Sequence, residues 1–282
     1  MCDNKDKCYC AQMQKIRCSR AGCMPLCRDI FTRYMMNKCA VILAGGEGKR
    51  MKSDIPKPMN EVLGKPMLRW VIDAVKEAGV NSICVVTGYK KEITEDYLKS
   101  LPFPVETVYQ QERLGTGHAV MMAEEFLRRN VGDVVILCGD APFMDADTIR
   151  DAHKQHADDD CSATVISAML DDPTGYGRIV RNDDGSLKSI VEHKEADEET
   201  LKIKEVNSGG YWFDTEDLLS VLDGITANNS SKEYYLPDAL DLLLKAGKKV
   251  GAFTAKSADT VLGANDPQQL EELNQIAIAK GY

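Results

Sequence analysis

The chain has 282 residues, 44% hydrophobic and 28% charged, which is ordinary for a globular fold and enough for one large α/β domain or two small ones. Its net charge of -9 is unevenly spread, because residues 1 to 39 carry eight Lys/Arg against three Asp/Glu and leave the remainder strongly acidic. That balance argues against general nucleic-acid binding, and no long apolar run or secretory signal is visible, so a cytoplasmic protein without a membrane span is the expectation.

Seven of the ten cysteines fall in the first 39 residues. Cys8 and Cys10 are spaced C-x-C, and Cys18, Cys23 and Cys27 show C-x4-C-x3-C spacing, with no histidine nearby. These spacings do not match the commoner zinc patterns, so residues 1–38 read as a Cys-rich, poorly ordered extension ahead of a domain over 39–282. Cys84, Cys138 and Cys161 lie in apolar runs and read as small buried hydrophobes of a reducing compartment.

The stretch from 39 to 58, CAVILAGGEGKRMKSDIPKP, organises the rest of the chain. Cys39 to Ala44 has the length and β-branched content of a fully buried strand, and it breaks into Gly45, Gly46 and Gly48. Such a turn brings backbone N–H groups close to an anion, and Lys49, Arg50, Lys52 and Lys57 add cationic side chains suited to a polyphosphate. A Walker loop is excluded because Arg50 comes directly after Gly48-Lys49 and Leu43 stands where its first glycine belongs. A dinucleotide fingerprint is excluded by Met51 in place of its third glycine.

Apolar spacing then predicts a helix over 66–79, a strand over 82–87, a helix over 91–99, a strand near 105–109, a helix over 117–129 and a strand over 133–138. Strands alternating with helices imply a doubly wound, mainly parallel, Rossmann-like α/β sheet, whose ligands bind beyond the carboxyl ends of the strands. From residue 160 short strand-like runs at 164–169, 178–180, 187–192 and 206–213 are separated by turn sequences, which predicts an antiparallel elaboration holding a second substrate. Helices over 215–222, 236–246 and 267–280 and a strand over 249–253 complete the chain. Asp140, after VVILCG, is equally a turn or cap residue and a hard oxygen ligand for magnesium. Asn265, before Asp266-Pro267, reads locally as a helix cap or as a second oxygen donor.

Taken as a set, LAGGEGKRM with Pro56-Lys57, QQERLGTGHA at 110–119, Gly139-Asp140, PTGYGRI at 173–179, VEHKEA at 191–196, EVNSG at 205–209, EYYLPD at 233–238 and GAND at 263–266 resemble the uridyltransferase domain of bacterial bifunctional N-acetylglucosamine-1-phosphate uridyltransferases. The resemblance covers residues 39 to about 279 in order. It implies a nucleotidyltransferase fold and a magnesium-dependent transfer of UMP from UTP to N-acetylglucosamine 1-phosphate, giving UDP-N-acetylglucosamine and pyrophosphate. It places Arg50 on the triphosphate, Lys57 on the attacked phosphate, Asp140 and Asn265 on Mg²⁺, Leu43, Ala44, Gly45 and Gly46 with Gln110, Gly115 and Thr116 on the nucleotide, and Gly177, Glu192 and Asn207 on the sugar. Arg113 stands where that family has a glutamine and Cys138 where it has a tyrosine, which leaves open another sugar 1-phosphate or nucleotide, or a non-catalytic sugar-nucleotide sensor. The family's acetyltransferase half has no counterpart before Tyr282, so acetyl transfer is not expected and a monomer or weak dimer is. His118 reads as structural, His193 and Lys194 as solvated or near a phosphate, and His153 and His156 as residues of an exposed helix. No nucleophile set is evident, and in-line phosphoryl transfer needs none.

Overall fold

The computed structural model describes residues 37–282. Residues 1–36, and with them the zinc and order readings of the Cys-rich extension, lie outside the described residues. The first strand, β1 (Asn37–Ala44), opens just ahead of the apolar run because Asn37 and Lys38 already pair with Gly132 and Asp133. Cys39, Ala40, Val41 and Ile42 are fully buried. Both faces of the strand are therefore covered, which is why its apolar residues run on without alternating.

A small hairpin, β2 (Glu61–Val62) and β3 (Lys65–Pro66), leads into α1 (Met67–Glu77), β4 (Ser82–Thr87), α2 (Lys91–Lys99) and β5 (Glu106–Tyr109). Next come α3 (Thr116–Met122), α4 (Glu124–Arg129), β6 (Gly132–Cys138) and α5 (Ala146–Asp158). The second half holds β7 (Ala163–Met169), β8 (Arg178–Arg181), β9 (Leu187–Val191), α6 (Glu198–Leu201), β10 (Glu205–Asp214), α7 (Thr215–Val221), α8 (Pro237–Lys245), β11 (Val250–Thr254) and α9 (Pro267–Lys280). The main sheet runs β11-β7-β10-β6-β1-β4-β5. β1 is parallel to both β4 and β6, so the chain moves outward through β4 and β5 and then crosses back to the other flank of β1. That reversal makes the carboxyl end of β1 a switch point, where open α/β sheets leave a crevice.

The antiparallel part is also as the turn sequences predict: β10 runs against β6, β7 and β8, and β8 forms a hairpin with β9. Alternation along the strands sends Val41, Cys84 and Ile136 to one face, packed with Val120, Phe126 and Leu240, and Ile42, Val85 and Leu137 to the other. On that second face α1 buries Leu68, Val71, Ile72 and Val75 completely, each removal from water contributing about 1.5–3 kcal/mol.

A third cluster joins Met51, Phe143, Ala264 and Leu273, and Phe143 stacks on Tyr282 at 5.6 Å. This cluster ties α9 and the loop before it to the glycine turn, and so fixes the far end of the chain beside the near one.

Three expectations are corrected. The helix predicted over 117–129 breaks at Ala123, whose N–H bonds Val120 at 2.9 Å; both halves bury one continuous face, so the apolar spacing carries no trace of the break. Cys138 is only partly buried, unlike Cys84 and Cys161, because it ends its strand at the crevice. His153 and His156 are not exposed: with Ile149 and Ala152 they form the face that α5 lays on the sheet. Their partner is Asp133, fully buried at the amino end of β6, with His153 Nε2 at 2.8 Å and His156 Nε2 at 3.6 Å.

Desolvation works to raise the Asp133 pKa, but the hydrogen bonds and charge of His153 and His156 outweigh it and hold the carboxyl well below its ordinary 3.8. A depressed folded value means stability that is complete above the unfolded carboxyl pKa and lost as pH falls below it. Asp133→Asn is accordingly expected to cost about 3 kcal/mol at neutral pH, the scale for breaking a buried pair, and to flatten the acid limb below pH ~4. Urea midpoints at pH 7 and through the acid range measure both effects.

Candidate active site

The turn after β1 turns its carbonyls inward. Leu43 O accepts from Gly139 N at 2.9 Å, Gly45 O from Tyr89 N at 3.1 Å, Gly46 O from Lys57 N at 3.2 Å and Gly48 O from Met51 N at 2.8 Å. The N–H groups of Gly45, Gly46, Glu47 and Gly48 donate to no described residue. A run of backbone donors left without protein partners at a sheet's carboxyl edge can cradle an anion. The Arg50 side chain is exposed beside this turn and makes no ion pair or hydrogen bond with a described residue.

The turn leans on Gly88, a residue that no motif in the sequence singles out. A β-carbon at Gly88 would lie 2.5 Å from Gly45 O and 2.7 Å from Gly45 Cα, so no other residue fits without moving the cradle. Gly88→Ala is expected to weaken nucleotide binding about tenfold, or ~1.4 kcal/mol, measured as KM for the triphosphate.

Gln110 is 4% exposed, and its Nε2 reaches Gly115 O at 3.0 Å and His118 Nδ1 at 3.1 Å. Gly115 O can only accept, which fixes the amide orientation and leaves Oε1 toward Gly45, 3.0 Å from where a β-carbon there would sit. His118 is therefore structural in the sense the sequence suggests: it holds Gln110. The 114–117 turn rests on the EYYLPD segment, with Tyr234 N donating to Leu114 O at 2.8 Å and Gly117 N to Tyr234 O at 2.7 Å. Thr116 faces the same segment, its Oγ1 accepting from Leu236 N at 3.0 Å. Arg113 pairs with Glu47 at 3.0 Å and so joins the two loops that flank Gln110.

At the end of β6, Lys57 Nζ lies between an Asp140 carboxylate oxygen and Asn265 Oδ1, the latter at 2.8 Å. Neither acid nor amide is a helix cap. Asp145 caps α5 through Thr148 N at 2.7 Å, and Asp266 caps α9 through Gln269 N at 2.9 Å. Asn265 is held instead by Gln269, whose Oε1 takes Asn265 N at 2.8 Å and Nδ2 at 3.0 Å, turning Oδ1 toward the lysine. Two hard oxygens from distant parts of the chain already meet on one cation. A carboxylate and an amide oxygen are the donor types magnesium takes beside water and phosphate, so these two residues fit that ion.

Gly177, Glu192 and Asn207 come together on the antiparallel side. Asn207 N donates to Gly177 O at 2.9 Å, and Glu192 Oε1 lies 3.1 Å from where a β-carbon at Gly177 would sit. Burial, then the charges of Glu195 and Asp238, raise the Glu192 carboxyl pKa. A cavity of about 230 Å³ opens beside it, lined also by His193, Lys194, Ser230 and Tyr235. A larger groove of about 550 Å³ between α1, α2 and the β2–β3 hairpin contains none of the candidate residues. No helix of the described residues is long and apolar enough to cross a membrane.

An open sheet with a switch point at β1 and a turn of unpaired backbone donors at that point are the marks of an α/β nucleotide-binding protein. The chain belongs to the nucleotidyl transferase family, which it matches over residues 39–261. It is 47% identical over 241 residues to the Bifunctional protein GlmU of Clostridium beijerinckii, covering 86% of this chain and 52% of that protein. Identity to the protein of the same name from Acetivibrio thermocellus is 46% over 237 residues, with 84% and 51% covered. The chain thus spans about half the length of the curated relatives it matches. Among solved structures, an apo UDP-glucose pyrophosphorylase has a TM-score of 0.72 at 20% identity, covering 88% of this chain and 100% of that one. A UDP-glucose pyrophosphorylase complexed with UDP-glucose has a TM-score of 0.70 at 21% identity, with 87% and 100% covered. At such identities these two share the fold.

Proposed function

We propose that the chain transfers UMP from UTP to N-acetylglucosamine 1-phosphate, giving UDP-N-acetylglucosamine and pyrophosphate. An oxygen of the sugar phosphate attacks the α-phosphorus, the bond from that phosphorus to the bridging oxygen breaks, and the leaving group departs as pyrophosphate. The attacking oxygen is already ionised, so no general base is required, and the protein's part is alignment and charge neutralisation. The observation that carries the reading is the meeting of Asp140 and Asn265 on the Lys57 ammonium, beside a turn whose Gly45 to Gly48 N–H groups donate to no described residue.

In this reading the backbone of Ala44 to Gly46 and the acceptor on Gln110 hold the uracil nucleotide, an N3–H donor meeting Oε1. Arg50 neutralises the triphosphate and Lys57 the phosphate under attack. Asp140 and Asn265 hold Mg²⁺, which when bound neutralises phosphate oxygens. Glu192 accepts from sugar hydroxyls and Asn207 offers an amide, while Gly177 leaves room for the ring. The extent of identity to GlmU proteins and the resemblance of the motifs to the uridyltransferase domain support the same assignment. Exchange of labelled pyrophosphate into UTP in the presence of UDP-N-acetylglucosamine tests it. Calorimetric binding of UDP-N-acetylglucosamine with no exchange would make the chain a sensor and defeat the proposal.

A further inference from the structure

β10 is interrupted where it passes the sugar-side residues. Its pairing with β7 shifts between Asn207 and Gly210, a bulge at Ser208-Gly209. Ser208 locks the bulge by donating from Oγ to Ile166 O at 2.7 Å and accepting from Gly210 N at 3.0 Å. Gly209, at φ 76°, packs against Cys138: a β-carbon there would lie 2.9 Å from Cys138 Sγ, and the thiol donates to Gly209 O at 3.6 Å. A small side chain at the end of β6 thus leaves the bulge its room.

The bulge also fixes Asn207. Gly209 N donates to Asn207 Oδ1 at 2.9 Å, which assigns the amide and leaves Nδ2 to donate to Tyr211 Oη at 2.7 Å. Tyr211 is 2% exposed and belongs to the core beneath the bulge. Burial foremost, and then the neighbouring Cys138 and Glu192, keep its phenol protonated.

We infer that Tyr211 is a positioning residue for the sugar subsite: by taking one of the two Asn207 amide hydrogens into the core, it aims the other at the bound sugar 1-phosphate. The inference rests on the assignment of Asn207 to the sugar. With Oδ1 held by Gly209 and one N–H held by Tyr211, the side chain has a single donor left and no freedom to flip. The subsite is then selective for a sugar that carries an acceptor at that point, and the selectivity is set from below the binding surface.

Tyr211→Phe removes only the hydroxyl and leaves the ring in the core, and Asn207→Ala and the double variant complete a cycle. Initial rates of pyrophosphate release are measured with varied sugar 1-phosphate and, separately, varied UTP. The expected result is a roughly tenfold rise in KM for the sugar 1-phosphate in Tyr211→Phe, with KM for UTP unchanged, and no further rise on adding Tyr211→Phe to Asn207→Ala. A purely structural tyrosine would move both KM values together. An unchanged sugar KM in Tyr211→Phe beside a raised one in Asn207→Ala would overturn the role of Tyr211 alone. Unchanged sugar KM in both single variants would overturn the assignment of Asn207, and the inference with it.

Discussion

Arg50→Ala is expected to lower turnover by about 10²–10³-fold while leaving the thermal midpoint where it is. The unchanged midpoint and the lost turnover have separate physical origins. Arg50 is exposed and bonds to no described residue, so the fold loses no contact when the side chain is cut back. It follows directly on the turn whose Gly45 to Gly48 N–H groups donate to no described residue, where a polyphosphate would bring charge that grows on the leaving group. Steady-state kinetics of pyrophosphate release, with a melting curve of the same sample, reads both. Near-normal turnover would remove Arg50 from the chemistry.

Asp140→Asn is expected to have an effect of similar size but a different signature. Among the described residues the carboxylate provides the one negative charge in contact with Lys57 Nζ, since the other contact, Asn265 Oδ1, is a neutral amide oxygen. Replacing it keeps the shape and removes the charge that would draw a divalent cation to this edge. Turnover at saturating substrates should fall about 10²-fold and the magnesium titration should move to higher concentration, because metal affinity at an oxygen site depends on ligand charge. A fall in turnover with an unchanged magnesium titration would leave Asp140 as the partner of Lys57 and nothing more.

How legible each element is in the sequence depends on its physics. β1 is readable because a strand covered on both faces must be apolar throughout, and CAVILA is. The hairpin β8–β9 is readable from NDDGS, where Gly185 takes φ 83°. The break at Ala123 is not, since it leaves the buried face intact. The burial of His153 and His156 is hidden because hydropathy treats histidine as polar, and the carboxylate that allows it sits on β6 and not on their own helix.

The site divides in the same way. Local sequence favours Asn265 as a cap, and only the packing of Met51, Phe143, Ala264 and Leu273 brings it to Lys57 from across the chain. The capping role belongs to its neighbour Asp266, as the Asp-Pro pair at the head of α9 suggests. Gly88 has no local signal, because its requirement is imposed by the backbone of Gly45. Arg113, a departure from the family pattern, has a partner in Glu47 that lies outside the pattern that draws attention to it.

The measurement that tests the central claim most directly is pyrophosphate release across a panel pairing UTP, CTP, GTP, ATP and dTTP with N-acetylglucosamine 1-phosphate, glucose 1-phosphate and N-acetylgalactosamine 1-phosphate, with and without Mg²⁺. The predicted result is magnesium-dependent release that is fastest for UTP with N-acetylglucosamine 1-phosphate and is abolished by EDTA. Faster release with another pair, or release that persists at full rate without the metal, would contradict it.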